Sequence, residues 1–326
     1  MLQYLVILLD NTSTSYCLYE NKYSERYLMP LDVLHEAILF GMKENLMIQF
    51  VYPDYELPQE YKDEIESIDH SKIVPYTLME KGADVVVFND ISSLKSQDEI
   101  HSQSIVLRVP KNQLFEHAND IDTIMGKVLR LNLVITDIES FNDDDLSKYK
   151  NILTDWSKTL FALYAKGKQP QFNLLTDRMM LESMNDCRAG GNSLTLAPDG
   201  NFYVCPAFYH VDENENYGLG KSKFNVGSLK GGLNIKNPQL YKLEFAPVCR
   251  ECDAFHCKRC VWLNRKLTYE VNTPGRQQCV ITHIERNASR NLLVRLQQTE
   301  INLMSSKSIK EIDYLDPFEK IINKKH

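Results

Sequence analysis

The cysteines of this 326-residue chain are the residues most able to do chemistry, and they are unevenly placed. Seven of the eight lie in the last 140 residues, and Cys17 stands alone near the N-terminus. Four fall within twelve residues, as Cys249-x2-Cys252, four residues, and then Cys257-x2-Cys260. A C-x2-C pair holds two thiolates on one tight turn, so both sulfurs can bind one metal or cluster. The spacing therefore predicts a metal site in the C-terminal part of the chain.

The short spacer between the two pairs bears on which metal is bound. Zinc modules with two C-x2-C pairs usually separate them by about a dozen or more residues, so that the two turns face each other across one ion. Here only Asp253-Ala-Phe-His256 intervenes. A compact run suits an arrangement in which neighbouring cysteines bind different iron–sulfur clusters, as in two-cluster ferredoxins. Iron–sulfur clusters are the favoured interpretation, and structural zinc is the alternative.

Composition and charge indicate the cellular compartment and weigh against nucleic acid and anionic membranes as partners. The net charge of −7 gives no general case for nucleic acid or an anionic membrane as a partner. The first apolar run, Leu5–Leu9, is short and has no basic residue before it, and no stretch approaches the roughly 20 apolar residues of a membrane span. We therefore expect a cytoplasmic protein, in which dense cysteines indicate metal more often than disulfides.

The first 180 residues alternate short apolar runs with helical patterns, which predicts parallel β-α-β units. The expected strands include Tyr4–Leu9, Met47–Tyr52 and Ser104–Val109, and about six are expected in all. Six is fewer than the eight strands of a closed barrel. The predicted fold class is therefore α/β, with an open, partial (β/α)6-type barrel; a doubly wound sheet is the alternative.

The character of the sequence changes near residue 181. Two short alternating runs, Ser193–Ala197 and Asn201–Cys205, flank a Pro198-Asp-Gly200 turn, which predicts a β-hairpin. Apolar residues recur at helical spacing over 280–304, which predicts a helix there. We expect three segments: 1–180 as the partial barrel, 181–285 as a small cysteine-rich domain, and 286–326 as a C-terminal helix and polar tail.

The order of the seven clustered cysteines resembles the SPASM domain, the C-terminal auxiliary-cluster module of many radical SAM peptide maturases. It opens here as C-x12-G-x4-C, through Gly200, and continues as C-x2-C-x4-C-x2-C before a last cysteine. Two spacers are each one residue shorter than in that family. The resemblance implies two [4Fe–4S] clusters with interleaved ligands: Cys187, Cys205 and Cys260 for the first, and Cys249, Cys252, Cys257 and Cys279 for the second.

The ligand count leaves one position of the first cluster unassigned. Two cubanes require eight ligands, and the SPASM-like segment supplies seven cysteines. One expectation is an open iron that could bind a substrate thiolate or amine. The other is a ligand borrowed from His210, Asp212 or His256, each of which is otherwise interpreted as a surface residue or as a neighbour of the ligands.

Charged residues near the cysteines have two interpretations. Lys258 and Arg259 lie between two ligand cysteines, where they either raise the cluster potential through their charge or are ordinary surface cations. Glu285 and Arg286 fall on the predicted amphipathic helix, and we expect both of them to be solvated.

The motif that binds the radical-generating cluster is missing. A radical SAM barrel carries C-x3-C-x2-C after its first strand, and the three thiolates leave one iron open for S-adenosylmethionine. The matching positions here are Cys17, Asn21 and Ser24, and neutral amide and hydroxyl groups are poor iron ligands. The family's Gly-Gly-Glu-Pro motif is also absent after the second strand, where the chain has Pro53–Pro58. We expect no bound S-adenosylmethionine, and Cys17 is expected to be a relic or a core thiol.

A barrel without this triad, ahead of a seven-cysteine SPASM domain, resembles the CXXX repeat peptide maturase family. The segments TSTSYCLYEN, KENLMIQFVYPDYELP and SIDHSKIVPYTL contribute to the resemblance. It implies a degenerate radical SAM-like barrel in an iron–sulfur protein that matures ribosomally made peptides. The implied partner is a cysteine-containing precursor peptide. Because the triad is missing, we also expect another maturation enzyme, which this chain would serve by binding or electron relay, and whether this chain is itself an enzyme stays open. The alternative function is a zinc-stabilised peptide-binding scaffold without redox activity.

Overall fold

Eleven strands form one sheet in the part of the chain that this computed structural model describes, residues 2–78, 82–97, 104–211, 221–299 and 301. The strands are β1 (Tyr4–Leu8), β2 (Met47–Val51), β3 (His70–Pro75), β4 (Val85–Phe88), β5 (Ser104–Val109), β6 (Arg130–Ile135), β7 (Gln171–Phe172), β8 (Ser193–Leu196), β9 (Asn201–Tyr203), β10 (Asn225–Ser228) and β11 (Gly232–Leu233). The helices are α1 (Leu31–Lys43), α2 (Gln59–Glu66), α3 (Ile91–Lys95), α4 (Lys111–Glu116), α5 (Ala118–Met125), α6 (Asp143–Ala165), α7 (Asp177–Met180), α8 (Pro206–Tyr209), α9 (Val261–Thr268) and α10 (Arg276–Gln298).

Strands β1 to β7 pair in chain order, and every pair is parallel. Their residues are mostly buried in unbroken runs, as in β5, because helices cover parallel sheets on both faces. The α/β class is confirmed: the chain has a mixed α/β fold with a large parallel sheet. The parallel run has eight strands rather than about six, because β8 from the cysteine-rich part also pairs parallel to β1. Among the described strands, β11 and β7 are the edges, so the sheet is open.

The cysteine-rich part of the chain continues this same sheet. Strand β8 pairs parallel to β1, with Val6 opposite Thr195. The predicted hairpin is confirmed, because β8 and β9 pair antiparallel around the Pro198–Gly200 turn. Gly200 has φ +74°, a left-handed backbone conformation that residues with a Cβ rarely adopt. Strands β10 and β11 extend the antiparallel end of the sheet.

Helix α10 joins the cysteine-rich part to the parallel part by packing against α6. The expectation that Glu285 and Arg286 are solvated is wrong, because both lie on the packed face and are about 6% exposed. Glu285 accepts a hydrogen bond from Tyr149 at 2.6 Å and pairs with His256 at 3.1 Å. Arg286 pairs with Asp253 at 2.6 Å. These partners explain how the two charges are accommodated away from water.

Three expectations concern the C-terminal region and the surface. The helix expected over 280–304 begins four residues earlier, at Arg276, and ends at Gln298. The expected polar tail, 305–326, and Asp212 lie outside the described residues. Among the described helices, none is both long enough and apolar enough to cross a membrane.

The junction between β1 and β8 should be a sensitive point for stability. Leu196 in β8 is fully buried beside Ile7 of β1. We expect Leu196→Ala to lower the free energy of unfolding by about 2–5 kcal/mol, since it leaves a cavity at the junction. The matched control, Leu129→Ala, removes the same atoms from a side chain that is 74% exposed, and its effect should stay within about 0.5 kcal/mol. Denaturant unfolding of both variants measures this, and similar losses would contradict the packing described.

Candidate metal centre

Two cavities divide the eight cysteines into two sets of four. The first, named here the Cys249 cavity, includes in its wall Cys249, Cys252, Cys257 and Cys279. The second, named the Cys17 cavity, includes in its wall Cys17, Cys187, Cys205 and Cys260. The structure thus brings together the four cysteines predicted for the second cluster. It also brings together the three predicted for the first, and it adds Cys17, which the sequence analysis had set aside.

The Cys249 cavity is formed by a turn-rich loop and the first turn of α10. Cys249 and Cys252 lie on one hydrogen-bonded turn, and Cys279 lies in the first helical turn. Backbone N–H groups point at two of the sulfurs: Ala254 N–H donates to Cys252 Sγ at 3.5 Å, and Arg259 N–H donates to Cys257 Sγ at 3.4 Å. Such donors favour the thiolate form and tune a bound cluster. The free volume is small, about 20 Å³.

Two basic side chains complete the wall of the Cys249 cavity, and the sequence analysis missed one of them. His283 Nε2 lies 3.5 Å from Cys252 Sγ. Burial lowers the pKa of His283, and the charge of Arg286 lowers it further, so the neutral imidazole is favoured. Its position four residues after Cys279 on one helix could have revealed it, because such residues share a helix face. Arg259 also lines the cavity, and within the described residues its buried Nη1 has no hydrogen-bond partner.

The Cys17 cavity is larger, about 430 Å³, and lies against the sheet where β1 meets β8. Cys205 follows β9 and Cys260 caps α9, where the Leu263 N–H donates to its sulfur at 3.4 Å. Cys187 is held by its N–H bond to the Lys258 carbonyl at 3.2 Å. Burial raises the pKa of the Cys205 thiol well above its usual value, and the negative charges of the other three thiolates of this cavity raise it further. These four sulfurs are therefore close enough to interact electrostatically.

The loop that carries Cys17 is fixed by Arg108, a buried side chain from β5. Its Nε donates to the Cys17 carbonyl at 2.8 Å, and its Nη2 donates to the Tyr19 carbonyl at 2.6 Å. Its Nη1 donates to Asn89 at 2.8 Å. Cys17 itself is exposed on the cavity wall, so the expectation of a core thiol is wrong.

A buried ion pair connects the cysteine segments of the two cavities. Arg259 Nε donates to Asp186 at 2.8 Å, and Arg259 Nη2 donates to the Tyr241 carbonyl at 2.6 Å. Asp186 directly precedes Cys187, and Arg259 stands between Cys257 and Cys260. Arg259 is 1% exposed, so its interpretation as an ordinary surface cation is wrong. The pair fixes the position of Cys187 relative to the C-x2-C that ends at Cys260.

Of the three residues proposed as an eighth ligand, the two described histidines lie away from the cysteine cavities. His256 is buried, and its Nε2 bonds to Glu285 at 3.1 Å. His210 is buried and stacks on the ring of Tyr19, with ring centres 5.4 Å apart. In the described part of the chain, neither histidine lines either cysteine cavity. Asp212 lies outside the described residues.

The three residues at the missing triad positions face two different cavities. Asn21 and Ser24 line a third cavity of about 490 Å³, named the strand-end cavity, which lies beyond the carboxyl ends of β1 to β5. The Asn21 side chain donates to the carbonyls of Asn11 and Ser13 at 2.7 and 2.9 Å. Cys17 instead lines the Cys17 cavity. The loop after β1 is therefore held by its own hydrogen bonds together with those of Arg108, and its one thiol faces the cysteine-rich part.

The donor geometry bears on the size of a bound group. In a zinc site, four sulfurs lie about 2.3 Å from one point, which brings them within about 4 Å of each other. Among the described residues, no three His, Cys, Asp or Glu side chains are grouped closely enough to hold a single ion. In the Cys17 cavity the four thiols instead form part of the wall of a volume of about 430 Å³. Four thiols around a cavity fit a group larger than one ion.

Solved structures of the maturase anSMEcpe are similar to this chain in fold. Native anSMEcpe with bound AdoMet and the Cp18Cys peptide has a TM-score of 0.63, covering 92% of this chain and 100% of that chain at 13% identity. The complex with the Kp18Cys peptide has a TM-score of 0.62, covering 90% and 99% at 14% identity. The chain therefore has a fold similar to that of anSMEcpe. No protein-family model and no curated protein matches it.

The ion pair between Asp186 and Arg259 should be needed for stability. We expect Asp186→Asn to lower the free energy of unfolding by about 3–5 kcal/mol, because it leaves the Arg259 charge buried without its counterion. The matched control is Asp155→Asn, which breaks an exposed pair with Lys158 and should have an effect within about 0.5 kcal/mol. Denaturant unfolding of the metal-free protein separates the two. A similar small effect at both positions would contradict the role given to the pair.

Proposed function

We propose that this chain is an iron–sulfur protein of a peptide maturation system that carries two [4Fe–4S] clusters and does not use S-adenosylmethionine. The division of the cysteines over two cavities carries the proposal. The first cluster would be held by Cys187, Cys205 and Cys260, and the second by Cys249, Cys252, Cys257 and Cys279. The SPASM-like order of the cysteines and the maturase-like fold support the same assignment.

The surroundings of the sulfurs suit clusters that carry negative charge. Backbone N–H groups donate to several of the seven sulfurs, among them those of Cys252, Cys257 and Cys260. The buried guanidinium of Arg259 lies on the wall of the Cys249 cavity. Donors of both kinds stabilise thiolate-bound clusters and raise their reduction potentials. When bound, such clusters supply one-electron transfer, while the chain's own residues hold them in place and limit their contact with water.

The loop after β1 supports the absence of a third cluster. Of the three triad positions, two carry Asn21 and Ser24, which are poor ligands for iron. The Asn21 amide already donates to two loop carbonyls. The segment Pro53–Pro58 lacks the glycines that allow close backbone approach to a ligand. The maturase-like fold is then kept for binding and positioning, without radical generation from S-adenosylmethionine.

A peptide is the substrate class that we propose for the strand-end cavity. Ligands of parallel α/β sheets usually bind beyond the carboxyl ends of the strands, and this cavity lies there. Its wall carries charged side chains of both signs, including Glu20, Arg26 and Asp54. It also carries backbone and hydroxyl groups that suit hydrogen bonding to an extended peptide. The structures of anSMEcpe with Cp18Cys and Kp18Cys peptides support this class. The resemblance to CXXX repeat peptide maturases narrows the proposed substrate class to a cysteine-containing precursor peptide. The electron-transfer partner that we propose is another maturation enzyme.

A zinc-stabilised peptide-binding scaffold is the second candidate function. One observation favours it: the Cys249 cavity has a free volume of only about 20 Å³, near the size of a single bound water. A single zinc ion would stabilise the loop that carries Cys249 and Cys252 without redox activity. The two candidates differ in metal content and colour.

Metal analysis of anaerobically purified, reconstituted protein decides between the two candidates. We expect about eight irons and eight inorganic sulfides per chain, with a brown colour, because each of the two sets of cysteines would hold one cubane. Incubation with S-adenosylmethionine and a strong reductant should yield no cleavage product. Colourless protein with about one to two zincs per chain would establish the scaffold instead. Cleavage of S-adenosylmethionine by the protein alone would overturn the proposed absence of radical chemistry.

Restoring cysteines at the triad positions should not restore a third cluster. We expect the double variant Asn21→Cys, Ser24→Cys to keep about eight irons per chain, because Cys17 faces a different cavity from the two new thiols. The control Asn21→Ala measures how far loss of the loop hydrogen bonds alone lowers the melting temperature. A gain of about four irons, with an electron paramagnetic resonance signal that responds to S-adenosylmethionine, would show that all three thiols can meet.

A further inference from the structure

We propose that Cys17 is the fourth thiolate ligand of the first cluster, which closes its coordination. This inference rests on the proposed function, since it concerns one of the two clusters assigned there. It replaces the open iron expected from the SPASM-like segment alone. It also gives a role to the one cysteine that the sequence places far from the others.

Cys17 lies on the same cavity wall as the three cysteines already assigned to that cluster. It is exposed to that cavity, as is Cys187. The pairing of Val6 with Thr195, both on this wall, joins the strand that leads into the Cys17 loop to the hairpin that leads into Cys205. Four thiolates around one cavity are the complete ligand set of a cubane.

The loop that carries Cys17 is held firmly enough to present a ligand. Arg108 donates to the carbonyls of Cys17 and Tyr19, as described above. The Tyr19 hydroxyl donates to the Thr14 carbonyl at 3.2 Å. A bridge between Asp10 and Leu28 closes the base of the loop. These contacts come from the sheet and from the loop itself, so the thiol keeps its place on the cavity wall before any cluster binds.

Cys17 occupies the first triad position in the sequence, but it faces a different cavity from the residues at the other two positions. Asn21 and Ser24 line the strand-end cavity, whereas Cys17 lines the cavity shared with the cysteine-rich part. A relic of the triad would be expected to face the same cavity as its former companions. The geometry points instead to a thiol that belongs to the auxiliary cluster.

Two consequences follow for the chemistry and the fold. A cluster with four thiolates has no vacant iron, so it suits electron transfer rather than direct binding of a substrate thiol or amine. The cluster would also cross-link residues 17 and 187, which are 170 positions apart in the chain. A link that closes so long a loop restricts the unfolded chain, so loading the cluster should raise the melting temperature.

The test compares Cys17→Ala with the neighbouring variant Leu18→Ala, which alters the same loop and cavity wall but removes no thiol. Each anaerobically reconstituted protein is analysed for iron and sulfide. Each is then reduced and examined by electron paramagnetic resonance with and without cyanide, a probe that binds a vacant iron. The four irons of the second cluster serve as an internal check of folding.

The wild type and Leu18→Ala should both hold about eight irons per chain, with spectra that cyanide leaves unchanged. Cys17→Ala should either hold about four irons or keep about eight and acquire a signal that shifts with cyanide. A cyanide response in the wild type, or a Cys17→Ala protein that matches the wild type in both measurements, overturns the ligand assignment while leaving the proposed function intact. Wild type without iron and sulfide overturns the proposed function itself.

Discussion

The parallel pairing of β1 with β8 is the interaction on which the rest of the structure depends. It joins the N-terminal parallel sheet to the hairpin that leads into Cys205, and it puts Val6 and Thr195 together on the wall of the Cys17 cavity. Without it, the loop after β1 and the cysteines beyond residue 180 would have no fixed relation. A slip of β8 by one residue would turn the Thr195 side chain to the other face of the sheet, so the register itself defines the cavity.

Buried charge, more than apolar packing, fixes the cysteine segments around that junction. The small hydrophobic cluster beside the Cys249 cavity has only Met184, Ala246 and Cys249 as buried members among the described residues. Ion pairs of Asp186 with Arg259 and of Asp253 with Arg286 hold the loops instead. Such pairs add little net stability but strongly disfavour arrangements that separate them. Metal binding would then contribute folding free energy that this thin core does not.

Local spacing predicted the parts of the site that depend on local structure. The alternating pattern predicted the β8–β9 hairpin. The resemblance to a SPASM domain, rather than spacing alone, grouped the four cysteines that line the Cys249 cavity. The place of Cys17 depends on Arg108, 91 residues away in β5, and no local pattern carries that contact. The burial of Arg259 and Glu285 has the same origin. The sequence alone does not reveal that the helix residue Glu285 and the loop residue Arg259 are buried, because it does not show which element packs on them. Their partners, Tyr149 for Glu285 and Asp186 for Arg259, are distant in sequence.

The central claim is that eight cysteines form two complete sets of four. Diffraction data collected at the iron absorption edge from crystals of the reconstituted protein test it most directly. The account predicts two separate groups of iron peaks, one in each cysteine cavity, with Cys17 Sγ bonded to an iron of the group that Cys187 also binds. A single group of iron peaks, or a first cluster whose fourth iron carries a ligand other than Cys17, would contradict it.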